Sequence, residues 1–196
     1  MPTLVINGHP HADALCAHLA KTYVAAHGDA RLLALRNLAF DPSLRFGYSK
    51  RMELEPDLID AWNAILEAEH IVVVAPVWWG SAPALLKGFF DRLLLPKRAY
   101  QYGANGLPQG LLSGRTGRLI MTSDSPFWYL ALTRNPAARS VRNLTMRFCG
   151  IRTPRATMLG PVRHSTAEQR AGWVARVEAL AKRDATASRR QPVPAH

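Results

Sequence analysis

The 196 residues, 48% hydrophobic and 20% charged, suit a single domain with a full hydrophobic core. No apolar run approaches the ~20 residues a membrane helix needs, and MPTLVINGHP lacks the basic and apolar regions of a signal peptide. Two cysteines, Cys16 and Cys149, make no disulfide framework, so a reducing cytoplasm is the expected setting and both thiols read as small buried residues.

The net charge of +11 can attract nucleic acid, anionic lipid or anionic cofactors. Yet Arg134, Arg139, Arg142, Arg147, Arg152, Arg155 and Arg163 are scattered over a third of the chain. No nucleic-acid motif accompanies them. From the amino end, Thr3–His9 (TLVINGH) is a short apolar strand that ends in a loop. Leu15, Leu19 and Tyr23 recur at four-residue intervals and mark a helix face, with Gly28 as its stop. Arg31–Asn37 is a second strand, and Asp41–Met52 a loop. Leu58, Trp62 and Ile65 mark a helix after Pro56. Ile71–Ala75 is a continuous apolar run, the pattern of a buried parallel strand, and Pro76 ends it. A helix follows from Pro83 to about Leu94. Lys97–Gly117 reads as a long surface loop, Arg118–Thr122 as a fourth strand, and the stretch from about Arg139 to Cys149 as a helix. Arg152–Leu159 offers a fifth strand. Ser165-x-x-Glu168 has the form of a capping box for the last helix, and 183–196 reads as a disordered tail.

Strands alternating with helices imply an α/β fold, a parallel sheet covered on both faces. Five strands suit a doubly wound flavodoxin-like order, 2-1-3-4-5, whose ligand crevice lies at the carboxyl ends of the first and third strands. No G-x-G-x-x-G and no Walker A loop follows the first strand, which argues against a Rossmann dinucleotide site and a P-loop NTPase.

Three loops fall at that edge. Gly8–Cys16 leads into the first helix, whose amino end offers free N–H groups to a phosphate, with His9 as a further donor. The plainer reading gives Asp13 the task of capping that helix. Trp78 and Trp79 follow the third strand. The plainer reading makes both core; adjacent residues point in different directions, which disfavours burying both in a loop, and a flat aromatic wall suits a flat cofactor. Thr122–Tyr129 (TSDSPFWY) makes a second wall or, alternatively, a solvated turn. Tyr129 is a hydrogen-bond donor there more readily than a general acid.

PVWWGSAPALLKGFFDRLLLPKRAYQYG resembles the P-x-x-W-x-x-x-P-A-x-L-K-G-[WF]-[FI]-[DE]-R signature of the flavin-dependent NAD(P)H:quinone oxidoreductases. NGHPHADALCAHLA is similar to the phosphate loop of that family, TSDSPFWY to its third flavin loop, and CGIRTPRATMLGPVR to its last strand region. The resemblance spans residues 1–182, the expected flavin-binding domain. It implies a flavodoxin-like fold, with His9, Leu15 and Cys16 at phosphate-loop positions. By the same resemblance Pro76, Val77, Trp78 and Trp79 contact the isoalloxazine, Thr122 and Ser123 border it, Asp91 is the signature's acidic residue, and Tyr129 lies near the active-site tyrosine. Asp13 and Ala14 stand where the family commonly has small hydroxyl residues, a departure expected to weaken the phosphate site.

The resemblance implies a homodimeric oxidoreductase with FMN, or alternatively FAD. It would take hydride from NAD(P)H and pass two electrons to a quinone or similar small-molecule acceptor by a ping-pong scheme. No metal site, nucleic-acid partner or membrane insertion is expected. An alternative is a flavin-binding ancillary subunit of a potassium-efflux-type transporter. A one-electron flavodoxin carrier is disfavoured, because such carriers resemble acidic proteins with a T-x-T-x-x-T loop.

Overall fold

The computed structural model describes residues 2–190. Its sheet contains β1 (Thr3–Asn7), β2 (Ala30–Ala34), β3 (His70–Pro76), β6 (Thr116–Thr122) and β7 (Thr157–Leu159). These are parallel and ordered β2-β1-β3-β6-β7, the expected arrangement. Every residue of β3 is buried, as its unbroken apolar run requires for a strand covered on both faces.

Helices α2 (Pro56–Glu67), α3 (Ala84–Leu93) and α5 (Pro136–Val141) close one face, where Leu58, Leu86, Phe89 and Val141 meet Ile71 and Val73. Helices α1 (Leu15–His27) and α6 (Ala167–Arg190) close the other, where Leu19, Tyr23 and Val177 meet Val72 and Val74.

The α3 signature is partly a structural device. Arg92 is 1% exposed, and its guanidinium meets Glu55 at 2.8 Å and the backbone carbonyls of Asp41 and Glu53. It thereby straps 41–55 onto the helix. A Cβ on Gly88 would lie 2.4 Å from that of Pro42, so only glycine lets the strap cross so closely. Asp91 turns outward and pairs with Lys87 at 2.6 Å, one helical turn away.

Several sequence expectations change. The expected tail from 183 is instead the last part of α6 as far as Arg190; residues 191–196 lie outside the described residues. Within it Asp184 is a core residue. Arg118 donates to both its carboxylate oxygens, at 2.5 and 2.6 Å, and the Tyr23 hydroxyl donates at 2.6 Å. The helix cap is Thr166, not Ser165: Thr166 Oγ1 accepts from Gln169 N–H, and Gln169 Oε1 accepts from Thr166 N–H. Ser165 instead donates to Val162 O.

Lys97–Gly117 is not featureless. It holds a short hairpin of β4 (Tyr100–Tyr102) and β5 (Pro108–Gly110), with Ala99 and Leu112 buried beside it. Phe127–Leu132 forms a helix, α4. The helix expected to Cys149 is α5 followed by a wider π-helical segment, Arg142–Arg147.

Candidate functional site

The chain leaves β1 for β2 on one side, then crosses to β3 on the other, so the loops after β1 and β3 diverge and leave a crevice between them. That crevice is a cleft of about 190 Å³ lined by His9, Leu15, Cys16, Pro76, Val77, Trp78, Thr122, Ser123, Asp124 and Val162. The residues nominated from three separate loops therefore converge, with two exceptions: Trp79 and Tyr129 do not line it.

The first loop is ordered by its own side chains. The N–H of His9 donates to Asn7 Oδ1, that of His11 to His9 Nδ1, and that of Asp13 to His11 Nδ1, at 3.0–3.1 Å. Because His9 Nδ1 accepts, the neutral imidazole carries its proton on Nε2 and is a donor there. Burial, and the proximity of His11, hold its pKa below the usual histidine value, so it stays neutral at pH 7. Its ring meets Trp78 edge-on at 5.4 Å. The N-cap of α1 is Ala14, and no side chain caps the helix. Asp13 does not line the cleft; it lines a neighbouring depression with His18, Arg170 and Glu178, and Leu15 borders both. The expected Asp13 cap is thus absent, and the amino end of α1 keeps its positive dipole uncovered by a carboxylate.

Cys16, in the first turn of α1, packs its Sγ 3.2 Å from Thr122 Oγ1 at the end of β6. Burial pushes the thiol up to about 11, so it is neutral. Cys16 is a floor to the cleft and no nucleophile.

The second loop makes a tight turn. Trp78 and Ser81 exchange both backbone hydrogen bonds at 2.9 Å, with Trp79 and Gly80 between them at φ 50° and 68°. Two positive φ values define a type I′ turn. It holds Trp78 in the wall and projects Trp79 fully into solvent. The N–H groups of Val77 and Trp78 are committed to Thr122 O and Ser81 O, so the wall offers a ligand its side chains rather than these two donors.

The third loop is zipped to the segment after β7: Ser123 N–H donates to Leu159 O, Val162 N–H to Ser123 O, and Arg163 N–H to Asp124 Oδ1. This segment, which brings Val162 into the lining, gave no signal in the sequence beyond its nearness to the last strand. Tyr129 lies on α4, 47% exposed, edge-on to Trp128 at 5.9 Å.

The family described as flavodoxin-like fold matches residues 1–182. Human ribosyldihydronicotinamide dehydrogenase (quinone) is 27% identical over 151 residues, which are 74% of this chain and 63% of that protein. FMN-dependent NADH:quinone oxidoreductase 2 of Bradyrhizobium diazoefficiens is 41% identical over 80 residues, 39% of this chain and 38% of that protein. The chain therefore spans less than two thirds of the length of these curated relatives. A solved structure from Streptococcus mutans superimposes with a TM-score of 0.85 at 23% identity, covering 93% of this chain and all of that one. No helix among the described residues is long and apolar enough to cross a membrane. With its family match over residues 1–182 and its 2-1-3-4-5 sheet, the chain belongs to the flavodoxin-like fold family.

Proposed function

We propose that this protein is a flavin-dependent NAD(P)H oxidoreductase that binds FMN in the cleft and delivers two electrons to a quinone or similar acceptor. The observation that carries this reading is the convergence of the nominated cofactor residues, all but Trp79, on one cleft at the switch point of the sheet. The name of the Bradyrhizobium relative, FMN-dependent NADH:quinone oxidoreductase, supports the same cofactor.

The residues present fit such a ligand. The uncapped amino end of α1 and the Nε2–H of His9 suit a dianionic phosphate, and Asp13 is not among the residues lining the cleft. Trp78 and Val77 give an apolar wall, and Thr122 and Ser123 a hydroxyl-bearing border. Bound there, FMN supplies the hydride-transfer chemistry. The volume of about 190 Å³ is below the ~300 Å³ of pockets that enclose a drug-sized ligand. A planar ligand would keep one face open, and that face can admit first the nicotinamide and then the acceptor. One shared face implies ping-pong kinetics. Tyr129, exposed on α4 after the third loop, is the proposed hydrogen-bond donor to the acceptor. Phe127, Trp128 and Leu132 add exposed apolar surface on α4, and a homodimer would cover it. The two unpaired, buried cysteines suit action in a reducing cytoplasm.

The test is the visible spectrum of the purified protein, identification of the released flavin, and NAD(P)H oxidation with a quinone. FMN bound more tightly than riboflavin, with the preference reduced in His9→Ala, is the expected result. Colourless protein that rejects added FMN and FAD overturns the proposal. Sedimentation as a monomer at micromolar concentration overturns the dimer.

A further inference from the structure

A concentration of unneutralised charge lies at the opposite end of the sheet from the cleft. There, at the amino ends of β3 and β6, is a cavity of about 470 Å³ whose lining includes His70, Arg118, Arg142, Arg147, Arg152 and Asp184. It is of a size that encloses small ligands, which ranges over ~300–1,000 Å³. His70 and Thr116 open the strands there, and Pro76 and Thr122 close them at the other end. Six residue steps of ~3.3 Å put the two sites about 20 Å apart.

The charges in this cavity do not cancel. Asp184 is bidentate with Arg118, so that pair is neutral within itself. Among the described residues no carboxylate lies within 4.0 Å of Arg142, Arg147 or Arg152. Arg142 is nevertheless held in place. Its Nε donates to the carbonyls of Thr153 and Pro154, at 3.2 and 2.6 Å, and its Nη1 to Asn143 Oδ1 at 3.0 Å. All three acceptors are neutral, so the guanidinium is positioned without losing its charge.

The backbone explains why these arginines meet. In an α-helix, residues five apart point about 140° away from each other. Arg142 and Arg147 bound a π-helical segment, whose i→i+5 bonding brings residues five apart onto one side. Arg152 arrives from the next segment, whose backbone pairs with Thr116 at the start of β6. A second cavity shares Arg142 and adds Arg134, Arg139 and Arg155. Arginines that are scattered in the sequence are gathered along one edge.

The geometry points to a second ligand site, in which Arg142, Arg147 and Arg152 bind a small phosphate-bearing anion. Planar guanidinium forks match phosphoryl oxygens, and Arg142 is already oriented. Three uncompensated cations favour a diphosphate over a monophosphate. The site does not depend on flavin binding.

The probe is inorganic pyrophosphate, titrated calorimetrically into the full chain saturated with FMN, so that the helix α1 end is occupied. If the protein takes no flavin, the same titration runs on the chain as purified, and the arginine variants below still decide. Saturable binding of one equivalent is expected. Arg147→Gln and Arg152→Gln, both at exposed positions, should each weaken it about tenfold, the loss of one charge-assisted contact, while Arg176→Gln, exposed on α6, leaves it unchanged. Thermal midpoints and the flavin spectrum should not move in these variants. Binding indifferent to both arginines, weak binding of several equivalents, or no binding overturns the proposal. So does tighter association with phosphatidylglycerol vesicles or a single-stranded oligonucleotide than with pyrophosphate, because either would make the arginines a macromolecular surface.

Discussion

Replacing Asp184 by Asn tests whether the carboxyl-terminal half of α6 belongs to the core. Asp184 is 9% exposed and holds Arg118 and Tyr23, which come from β6 and α1; His70 Nε2 of β3 lies 3.5 Å from it. Burial alone would raise its pKa, but His70, Arg118 and Tyr23 outweigh burial and hold the carboxyl well below the usual carboxylate range. Asn keeps the shape and one acceptor but leaves the Arg118 charge buried without a counter-charge. Breaking a buried pair in this way costs about 3–5 kcal/mol. At ~2–4 °C per kcal/mol for a chain of this size, the midpoint should fall roughly 6–20 °C. The sign with pH follows from the depressed value. The contribution of Asp184 is complete above the unfolded carboxylate pKa of ~3.9 and is lost as pH falls towards the folded value. The wild-type chain should therefore lose stability below about pH 4 more steeply than the variant does. Urea unfolding followed by circular dichroism, from neutral pH down to about pH 3, measures both. Removing both charges in Arg118→Met with Asp184→Leu should cost less than Asp184→Asn alone. A single variant within about 1 kcal/mol of wild type, with an unchanged acid limb, would refute the reasoning.

Gly88→Ala should destabilise by about 1–3 kcal/mol, since its Cβ would meet the Cβ and carbonyl oxygen of Pro42 at 2.4 and 2.5 Å. Trypsin cleavage at Arg45, Lys50 or Arg51 should accelerate as the strap loosens. Gly172→Ala, in α6 with nothing within 4 Å, should instead stabilise by about 0.5–1 kcal/mol; a loss there would contradict the open surroundings. Trp79→Gly should stabilise the flavin-free protein by roughly 0.5–1 kcal/mol, because its φ of 50° is strained for any side chain and its ring packs on nothing. A fall in midpoint would show that the ring has a partner. Cys16 and Cys149, both pushed up to about 11, should resist iodoacetamide at pH 7.5 until the chain unfolds, as read by intact mass.

What was legible in the sequence was what is local. The apolar run from His70 and its stop at Pro76 fix a buried strand and its carboxyl end within seven residues, and the loops after Asn7, Pro76 and Thr122 are then brought together by topology alone. Trp78 and Trp79 show the limit of that reasoning. Adjacency says that they diverge, but which one enters the wall depends on the type I′ turn, and a Trp at positive φ is the choice that propensity disfavours. The helix cap fails in the same way: Ser165-x-x-Glu168 and Thr166-x-x-Gln169 are both legal boxes one residue apart, and the bond of Ser165 to Val162 O decides between them. Long-range pairing is invisible for a different reason. Arg118 and Asp184 are 66 positions apart and Glu55 and Arg92 are 37, so a charged residue that looks like solvated surface or tail is structural only once its partner is placed. The arginine cavity combines both failures, since it needs a π-helical segment to align Arg142 with Arg147 and a sheet edge to bring Arg152 alongside. Charge counted along a chain is therefore a poor guide to charge in space. The +11 total fits a generally basic surface as well as a built site; the neutral acceptors around Arg142 add a fixed position to its charge, and the pyrophosphate titration decides between the two. A solvated arginine on a generic basic surface has no need of three fixed acceptors, whereas an arginine that must meet an anion gains affinity from being held.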